Sequence, residues 1–195
     1  MKFFLIISLS MLSSFAQAQG KYFSVATGYT SFNRLDLSPL TLVDEKNFTT
    51  KFVWGYSDCI NAILCIGPEI GFGYFGESTW QQNQEHLTLT STGFDVSVLW
   101  SINLHQQFYG LFKIGTVYHL LFIDDEPKTR SQKGRIDSWM PTLSIGLGYR
   151  LSNKFHIEGR FEGGLNEAID YEDIKAGRRR SPSLALFLVN MQFHY

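Results

Sequence analysis

The last ten residues of the chain alternate between two kinds of side chain. Apolar and aromatic residues take one set of positions and mostly polar residues take the other, namely Phe187, Val189, Met191, Phe193 and Tyr195 against Leu188, Asn190, Gln192 and His194. Alternation with period two predicts a β-strand whose two faces lie in different environments. The rest of the sequence must indicate which environment each face of the strand contacts.

The N-terminus has the pattern of an export signal. Lys2 supplies the basic head, residues 3–12 the apolar stretch, and residues 16–18 a cleavage site of small residues. The apolar stretch is too short to cross a bilayer as a helix. We expect cleavage after Ala18, which leaves a signal peptide at 1–18 and a single mature domain at 19–195.

Composition excludes several classes of function. The net charge of −1 argues against a nucleic-acid partner, which would require a basic excess. The sequence contains no phosphate-binding glycine loop, metal-ligand cluster or cofactor fingerprint, so we expect no cofactor and no metal. Mean hydropathy is −0.07. Such a value also fits a membrane barrel, because polar inner positions and loops dilute its apolar outer positions.

The two cysteines, Cys59 and Cys65, lie close together in the sequence. Two thiolates cannot complete a four-ligand zinc site by themselves. Because an exported protein folds in an oxidising compartment, we expect a disulfide that closes a short loop. Two free thiols are the alternative.

Alternation and turn residues divide the mature chain into eight predicted strands, at 22–33, 48–57, 67–76, 87–102, 108–122, 139–150, 155–165 and 182–195. Long polar connections, at 34–47, 77–86, 123–138 and 166–181, alternate with short ones at 59–66, 103–107 and 151–154. Long loops at one end and tight turns at the other are typical of an even-stranded membrane barrel. We therefore predict an all-β protein, an eight-stranded antiparallel up-and-down transmembrane β-barrel.

One face of each predicted strand is apolar or aromatic. Phe72, Val96 and Ile114 are central examples, and no Asp, Glu, Lys or Arg occupies these positions. A basic residue at the middle of a bilayer would cost about 2–4 kcal/mol on such a face. Trp and Tyr collect near the strand ends, where a membrane interface would place them. A soluble lipocalin-like barrel is the alternative, and it would reverse this arrangement.

The opposite faces carry glycines, small polar residues and a balanced set of charges. The charged positions are Lys51, Glu69, Asp95, Lys113, Arg150, Glu158, Arg160 and Glu162. Because the interior of an eight-stranded barrel is only wide enough for side chains, these groups must pair with one another. We predict an ion-pair network in the lumen, with Asp95 and Lys113 as its first contact.

Several stretches resemble the OmpA-type family of eight-stranded outer-membrane barrels. They are GPEIGFGYFG at 67–76, TGFDVS at 92–97, LFKIG at 111–115 and PTLSIGLGYRLS at 141–152. The resemblance implies a Gram-negative outer-membrane location among outer-membrane lipids. The aromatic end of the last strand, Phe193 and Tyr195, is similar to the signal read by the barrel-assembly machinery. The chain stops at Tyr195, so we expect no peptidoglycan-binding domain.

Function is then expected in the loops, on a barrel plugged by its own charges. We expect a non-enzymatic protein that presents four extracellular loops to a host or surface ligand, or that supports envelope integrity. Arg178, Arg179 and Arg180 could bind lipopolysaccharide phosphates. Alternatively they are solvated and face the acidic residues 124–126.

Two other functions remain open. Leu184, Leu186 and Leu188 would point inward with Val117, which would give an apolar upper lumen similar to the tunnel of OmpW-like pores or carriers. A bulge that turns Leu184 and Leu186 outward is the alternative. A lipid A-modifying enzyme is the third possibility. His119 and His156 are not followed, two residues on, by the serine that such a deacylase places there.

Overall fold

The structure is a computed structural model that describes residues 20–33, 35–37, 40–82, 85–126, 132–165, 169–170 and 182–195. The predicted signal peptide at 1–18 lies outside them. Twelve strands are described: β1 (Lys21–Asn33), β2 (Leu35–Asp36), β3 (Thr41–Lys46), β4 (Phe48–Tyr56), β5 (Asp58–Cys59), β6 (Leu64–Gln82), β7 (Glu85–Asn103), β8 (Phe108–Glu126), β9 (Gln132–Arg150), β10 (Phe155–Gly164), β11 (Ile169–Asp170) and β12 (Ser183–His194).

Eight of these strands close into a barrel. Each pairs antiparallel with its neighbour in the order β1, β4, β6, β7, β8, β9, β10, β12, and β12 returns to pair with β1. The predicted eight-stranded up-and-down barrel is therefore confirmed. Within the described ranges, no helix is long and apolar enough to cross a membrane.

The two ends of the barrel differ. At the turn end, where β1 begins and β12 ends, short turns join β5 to β6, β7 to β8, and β9 to β10. At the loop end, β6, β8 and β9 run six, four and seven residues beyond the strands predicted for them, and β7 runs two residues beyond. The prediction of long loops at 77–86 and 123–138 is wrong, because most of these residues pair in two extended hairpins. β3 adds to the first hairpin by pairing with the end of β6.

A bulge in β6 changes which residues point inward. The register shifts between Tyr74 and Gly76, and Gly76 adopts a φ of +114° that only glycine takes without strain. Phe75 and Ser78 are both buried although they differ in parity. Phe75 has the same parity as the inward Glu69, Gly71 and Gly73, and after the bulge alternation continues in the opposite phase.

The sidedness that alternation predicts is confirmed. Phe72, Val96 and Ile114 are exposed on the outer wall, whereas the charged Lys51, Glu69 and Lys113 are at most 2% exposed. The lipocalin-like alternative is wrong for this chain, because it requires the charges outside and the bulky apolar groups inside.

Candidate functional site: the filled lumen

Seven charged side chains meet inside the barrel, each at most 4% exposed. We call them the charged cluster: Lys51 of β4, Glu69 of β6, Asp95 of β7, Lys113 of β8, and Glu158, Arg160 and Glu162 of β10. β10 contributes three of them because alternate residues of a strand point to the same face.

Arg160 joins two carboxylates in one half of the cluster. Its Nη1 and Nη2 donate to the two oxygens of Glu69 at 3.1 and 3.0 Å, and its Nε donates to Glu158 at 2.8 Å. A guanidinium suits this role because its planar fork matches a carboxylate with two parallel hydrogen bonds.

Two lysines hold the other half. Lys113 Nζ lies 3.1 Å from Asp95 and 3.3 Å from Glu162, and Lys51 Nζ lies 3.2 and 3.0 Å from the same two residues. Lys113 also reaches Glu69 at 3.4 Å, which connects the two halves. In the strand register Lys113 is opposite Leu99 rather than Asp95, so its long side chain runs along the barrel to make the contact.

Neutral donors complete the cluster, and sequence analysis missed them. The Tyr22 hydroxyl donates to Glu69 at 2.6 Å, and the Tyr109 hydroxyl donates to Glu158 at 2.8 Å. Asn190 donates to Glu158 at 2.7 Å. Three cations face four carboxylates, so the formal charge is −1, and the donors serve the two carboxylates that share Arg160. Their inward parity near the turn end is the signal that could have identified these residues.

Glycines make room for the cluster. A Cβ at Gly71 would lie 2.2 Å from Asp95 Oδ1, and one at Gly146 would lie 2.4 Å from the Gly159 carbonyl oxygen. Glycine is therefore required at these two inward positions, because a charged side chain or the neighbouring backbone occupies the space that a Cβ would need.

Arg150 lies outside the charged cluster, although sequence analysis includes it in the network. It is the last residue of β9, at the turn end, where its Nη2 donates to Asn103 and its Nη1 donates to the Gln106 carbonyl oxygen at 3.3 Å. Its guanidinium also stacks 4.7 Å from the centre of the Tyr109 ring. Its position beyond the carboxylates makes it a brace for the turns rather than a member of the cluster.

An apolar layer fills the lumen on the loop side of the cluster. Its buried members are Ala26, Phe75, Val117, Met140, Leu184, Leu186 and Leu188. β12 keeps an unbroken register with both β1 and β10 over these leucines. The alternative of a bulge that turns Leu184 and Leu186 outward is therefore wrong.

A second apolar layer lies inside the extended hairpins. It consists of Leu37, Leu40, Leu87, Leu89, Leu121, Ile123 and Ile136, with Trp80 against it. Leu37 and Leu40 come from the first loop and are 1% and 7% exposed, so both side chains pack inside the loop end. The cluster and the two layers lie at three successive levels of the described lumen, and Leu99 and Leu111 pack with Tyr22 and Tyr109 on the turn side of the cluster.

A serine and a histidine are hydrogen-bonded to each other between the two apolar layers. Ser91 Oγ contacts His119 Nε2, and both residues are fully buried. A hydrolytic pair requires a substrate path to the serine and an acid that orients the histidine. No described residue partners His119 Nδ1. The pair is enclosed and lacks an orienting acid among the described residues, so its geometry is that of a buried polar contact.

Cys59 and Cys65 form a disulfide in the turn between β5 and β6. They are also direct partners in the strand register, so the bond closes a short two-stranded ladder. Among the described residues no group of three or more His, Cys, Asp or Glu side chains is placed to hold a metal ion.

Two further sets of predicted site residues remain, the aromatic end of β12 and three consecutive arginines. Phe193 and Tyr195 are exposed on the outer wall at the turn end, with their rings stacked 6.4 Å apart. Arg178, Arg179 and Arg180 lie outside the described residues.

Comparison with known proteins identifies solved structures that have a similar fold. No family model and no curated protein sequence matches the chain. Among solved structures, Neisserial surface protein A (NspA) covers 91% of this chain and 99% of its own length, with a TM-score of 0.56 and 8% identity. A major outer membrane protein of Thermus thermophilus covers 90% and 99%, with a TM-score of 0.53 and 11% identity.

A third similar structure is Ail, the attachment invasion locus protein of Yersinia pestis. It covers 91% of this chain and 99% of its own length, with a TM-score of 0.50 and 11% identity. At such identities the likeness establishes the fold alone. The chain has the eight-stranded β-barrel fold of outer-membrane proteins.

Proposed function

We propose that this protein is a non-enzymatic integral outer-membrane β-barrel. Its barrel is closed by its own side chains, and its loop end faces the cell exterior for surface interaction or envelope integrity. Outer-membrane lipid surrounds the wall, and the turn end faces the periplasm. The observation that carries this proposal is the sidedness of the wall, apolar outside and charged inside.

A bilayer explains that sidedness better than water does. Large apolar side chains cover the outside of every strand of the barrel, whereas soluble proteins rarely expose so large an apolar surface. Charges buried inside can be stable because they are paired and hydrogen-bonded. Closure of the sheet satisfies the backbone hydrogen bonds, which a lipid environment requires.

Membrane fractionation combined with surface proteolysis tests location and orientation together. We expect the protein in the outer-membrane fraction, with folded protein in detergent migrating differently on a gel before and after heating. Cleavage from outside should occur in the loops and spare the turns. A mature protein that is folded and monodisperse in buffer without detergent would contradict the proposal.

We expect no discrete conductance steps when the purified barrel is inserted into planar bilayers. The charged cluster and two apolar layers occupy successive levels of the lumen, so we expect that a continuous water path would require side chains to move. The apolar layers are the observation that favours the alternative, a pore or carrier for apolar molecules. Reproducible conductance steps would support that alternative and reject the closed barrel.

Lipopolysaccharide is the partner proposed for the fourth loop. The three consecutive cations Arg178, Arg179 and Arg180 suit phosphate groups, which they would bind through charge-assisted hydrogen bonds. Replacing all three by glutamine should sensitise cells to outer-membrane stress without changing the amount of folded barrel. Unchanged sensitivity at equal barrel levels would reject this contact and leave the barrel proposal intact.

Recognition by the barrel-assembly machinery is proposed for the end of β12. Phe193 and Tyr195 continue the outward row of Phe187, Val189 and Met191, so they present two rings beside the seam between β1 and β12.

A host or surface ligand is proposed for the exterior loops, because a rigid barrel holds such loops for recognition.

A further inference from the structure

The disulfide-closed turn exposes two isoleucines. Ile60 is 57% exposed and Ile63 is 60% exposed, between Cys59 and Cys65. Neither residue belongs to the lumen or to the exterior loops. Asn61 is the one polar residue between the two cysteines. Exposed aliphatic side chains in such a turn require an explanation, because burying them away from water is favourable.

Hydrogen bonds hold this turn in its shape. Asn61 Oδ1 accepts from the backbone amides of Ile63 and Leu64 at 2.8 and 2.7 Å. Asn103, at the end of β7, donates from its side chain to the Ala62 carbonyl oxygen and from its backbone to the Ile63 carbonyl oxygen, both at 2.7 Å. Together with the disulfide, these contacts keep both isoleucines directed outward.

The other two turns repeat the feature. Leu104, after β7, is 62% exposed, and Leu151, after β9, is 58% exposed. Arg150 ties the turns together, because its Nη2 donates to Asn103 and its backbone amide donates to the Gln107 carbonyl oxygen at 2.9 Å. We call Ile60, Ile63, Leu104 and Leu151 the turn platform.

The turn platform continues the outer wall. Leu104 extends the outward row of Val98 and Ile102 on β7, and Leu151 extends the row of Leu147 on β9. Ile60 follows the exposed Trp54 and Tyr56 of β4 in the same alternation. The apolar surface therefore passes the aromatic residues at the strand ends and reaches the turns, with Asp58 as a polar interruption between Tyr56 and Ile60.

Cations accompany this apolar extension. Lys21 and Lys154 are both exposed at the turn end, where Asp58 is only partly exposed. Apolar groups with neighbouring lysines match a phospholipid interface, where the apolar parts enter the region below the headgroups and the ammonium groups reach phosphate.

We propose that the turn platform is a membrane anchor that lies in the phospholipid interface at the turn end of the barrel. The disulfide and the braces from Asn103 and Arg150 hold its four aliphatic side chains among the headgroups and the upper acyl carbons. The periplasmic edge of the barrel then lies within the headgroup region of the bilayer rather than in the periplasmic water. This inference rests on the proposed function, since it needs a barrel inserted in a bilayer.

Methyl NMR on the unaltered mature protein tests the inference. The protein, labelled at isoleucine δ1 methyl groups, is placed in nanodiscs of phosphatidylethanolamine and phosphatidylglycerol, and signals are assigned with single Ile→Val variants. One sample receives a phospholipid with a nitroxide near the top of its acyl chain. A second receives a water-soluble gadolinium chelate.

Two isoleucines serve as matched controls. Ile114, on the outer wall in the middle of β8, should lose its signal to the lipid nitroxide in any inserted barrel. Ile136, buried inside the loop-end hairpins, should be little affected by either agent. We expect the Ile60 and Ile63 methyls to lose most of their intensity to the lipid nitroxide and to keep it with the gadolinium chelate.

The outcomes separate this inference from the proposed function. If the gadolinium chelate removes the Ile60 and Ile63 signals while Ile114 still responds to the lipid nitroxide, the barrel is inserted but the anchor is wrong. A soluble protein partner or a second copy would then be the occupant to seek. If Ile114 fails to respond to the lipid nitroxide, membrane insertion itself is rejected.

Discussion

Replacing Arg160 by methionine is expected to lower the free energy of unfolding by about 3–5 kcal/mol, because breaking a buried ion pair leaves uncompensated charge. Arg160 is 4% exposed and donates to both Glu69 and Glu158. Methionine fills similar volume but donates no hydrogen bond. Glu69 would then keep only Tyr22 and the 3.4 Å contact with Lys113. Glu158 would keep only its neutral donors.

Two further variants keep this prediction testable if Arg160→Met fails to fold. Adding Glu69→Gln to Arg160→Met removes one of the stranded charges, so the double variant should recover part of the loss. Arg135→Met is the matched control, because Arg135 is exposed and lies 3.8 Å from Asp137 in a loop-end hairpin. That exposed pair should change stability by no more than about 1 kcal/mol.

Urea titration of the barrel in detergent micelles or vesicles measures these differences, with gel mobility and tryptophan emission as readouts. Equal unfolding midpoints for Arg160→Met and Arg135→Met would show that the charged cluster does not stabilise the barrel. A double variant less stable than Arg160→Met alone would show that Glu69 is not stranded by the loss of Arg160.

Alternation in the sequence predicts the wall of the barrel well because lipid and lumen impose opposite demands on successive residues. For β1, β4, β10 and β12 the predicted bounds agree with the structure to within one residue at each end. These strands have short extensions at the loop end, so nearly all of their residues lie where the two faces differ in polarity.

Alternation does not predict the extended hairpins. In segments such as 77–81 and 134–138, polar residues occupy the outer face as well, because the wall there no longer carries a continuous apolar band. The bulge at Gly76 adds a change of phase that no fixed alternation can follow. A glycine within a predicted strand is a signal for such a bulge, but its position is set by pairing with β7.

Within the lumen, parity identifies which residues point inward but few of their contacts. Asp95 and Lys113 make the contact predicted for them, although they are not opposite each other in the register. Arg150 shares the inward parity of the cluster yet lies too near the turn end to join it. Tyr22 and Tyr109 were overlooked because an aromatic ring is read as apolar, whereas their hydroxyls donate to buried carboxylates.

Replacing Ile114 by arginine is expected to destabilise the barrel in vesicles by about 2–4 kcal/mol, the cost of a basic side chain near the middle of a bilayer. Ile114 is exposed on the outer wall of β8, between Phe112 towards the turn end and Tyr118 towards the loop end. The prediction isolates the surroundings of the wall, because an outward arginine disturbs no residue of the lumen.

Phe122→Arg on the same strand is the matched control. Phe122 is also exposed and outward, but it belongs to the loop-end hairpin, pairing with Thr90 and Arg135 beyond the apolar band. Its replacement should cost about 0–1 kcal/mol, because the penalty falls towards the interface. Urea unfolding in vesicles measures both variants. If the outer wall met water, Ile114→Arg would be tolerated as well as Phe122→Arg, and equal unfolding midpoints would therefore reject the membrane barrel.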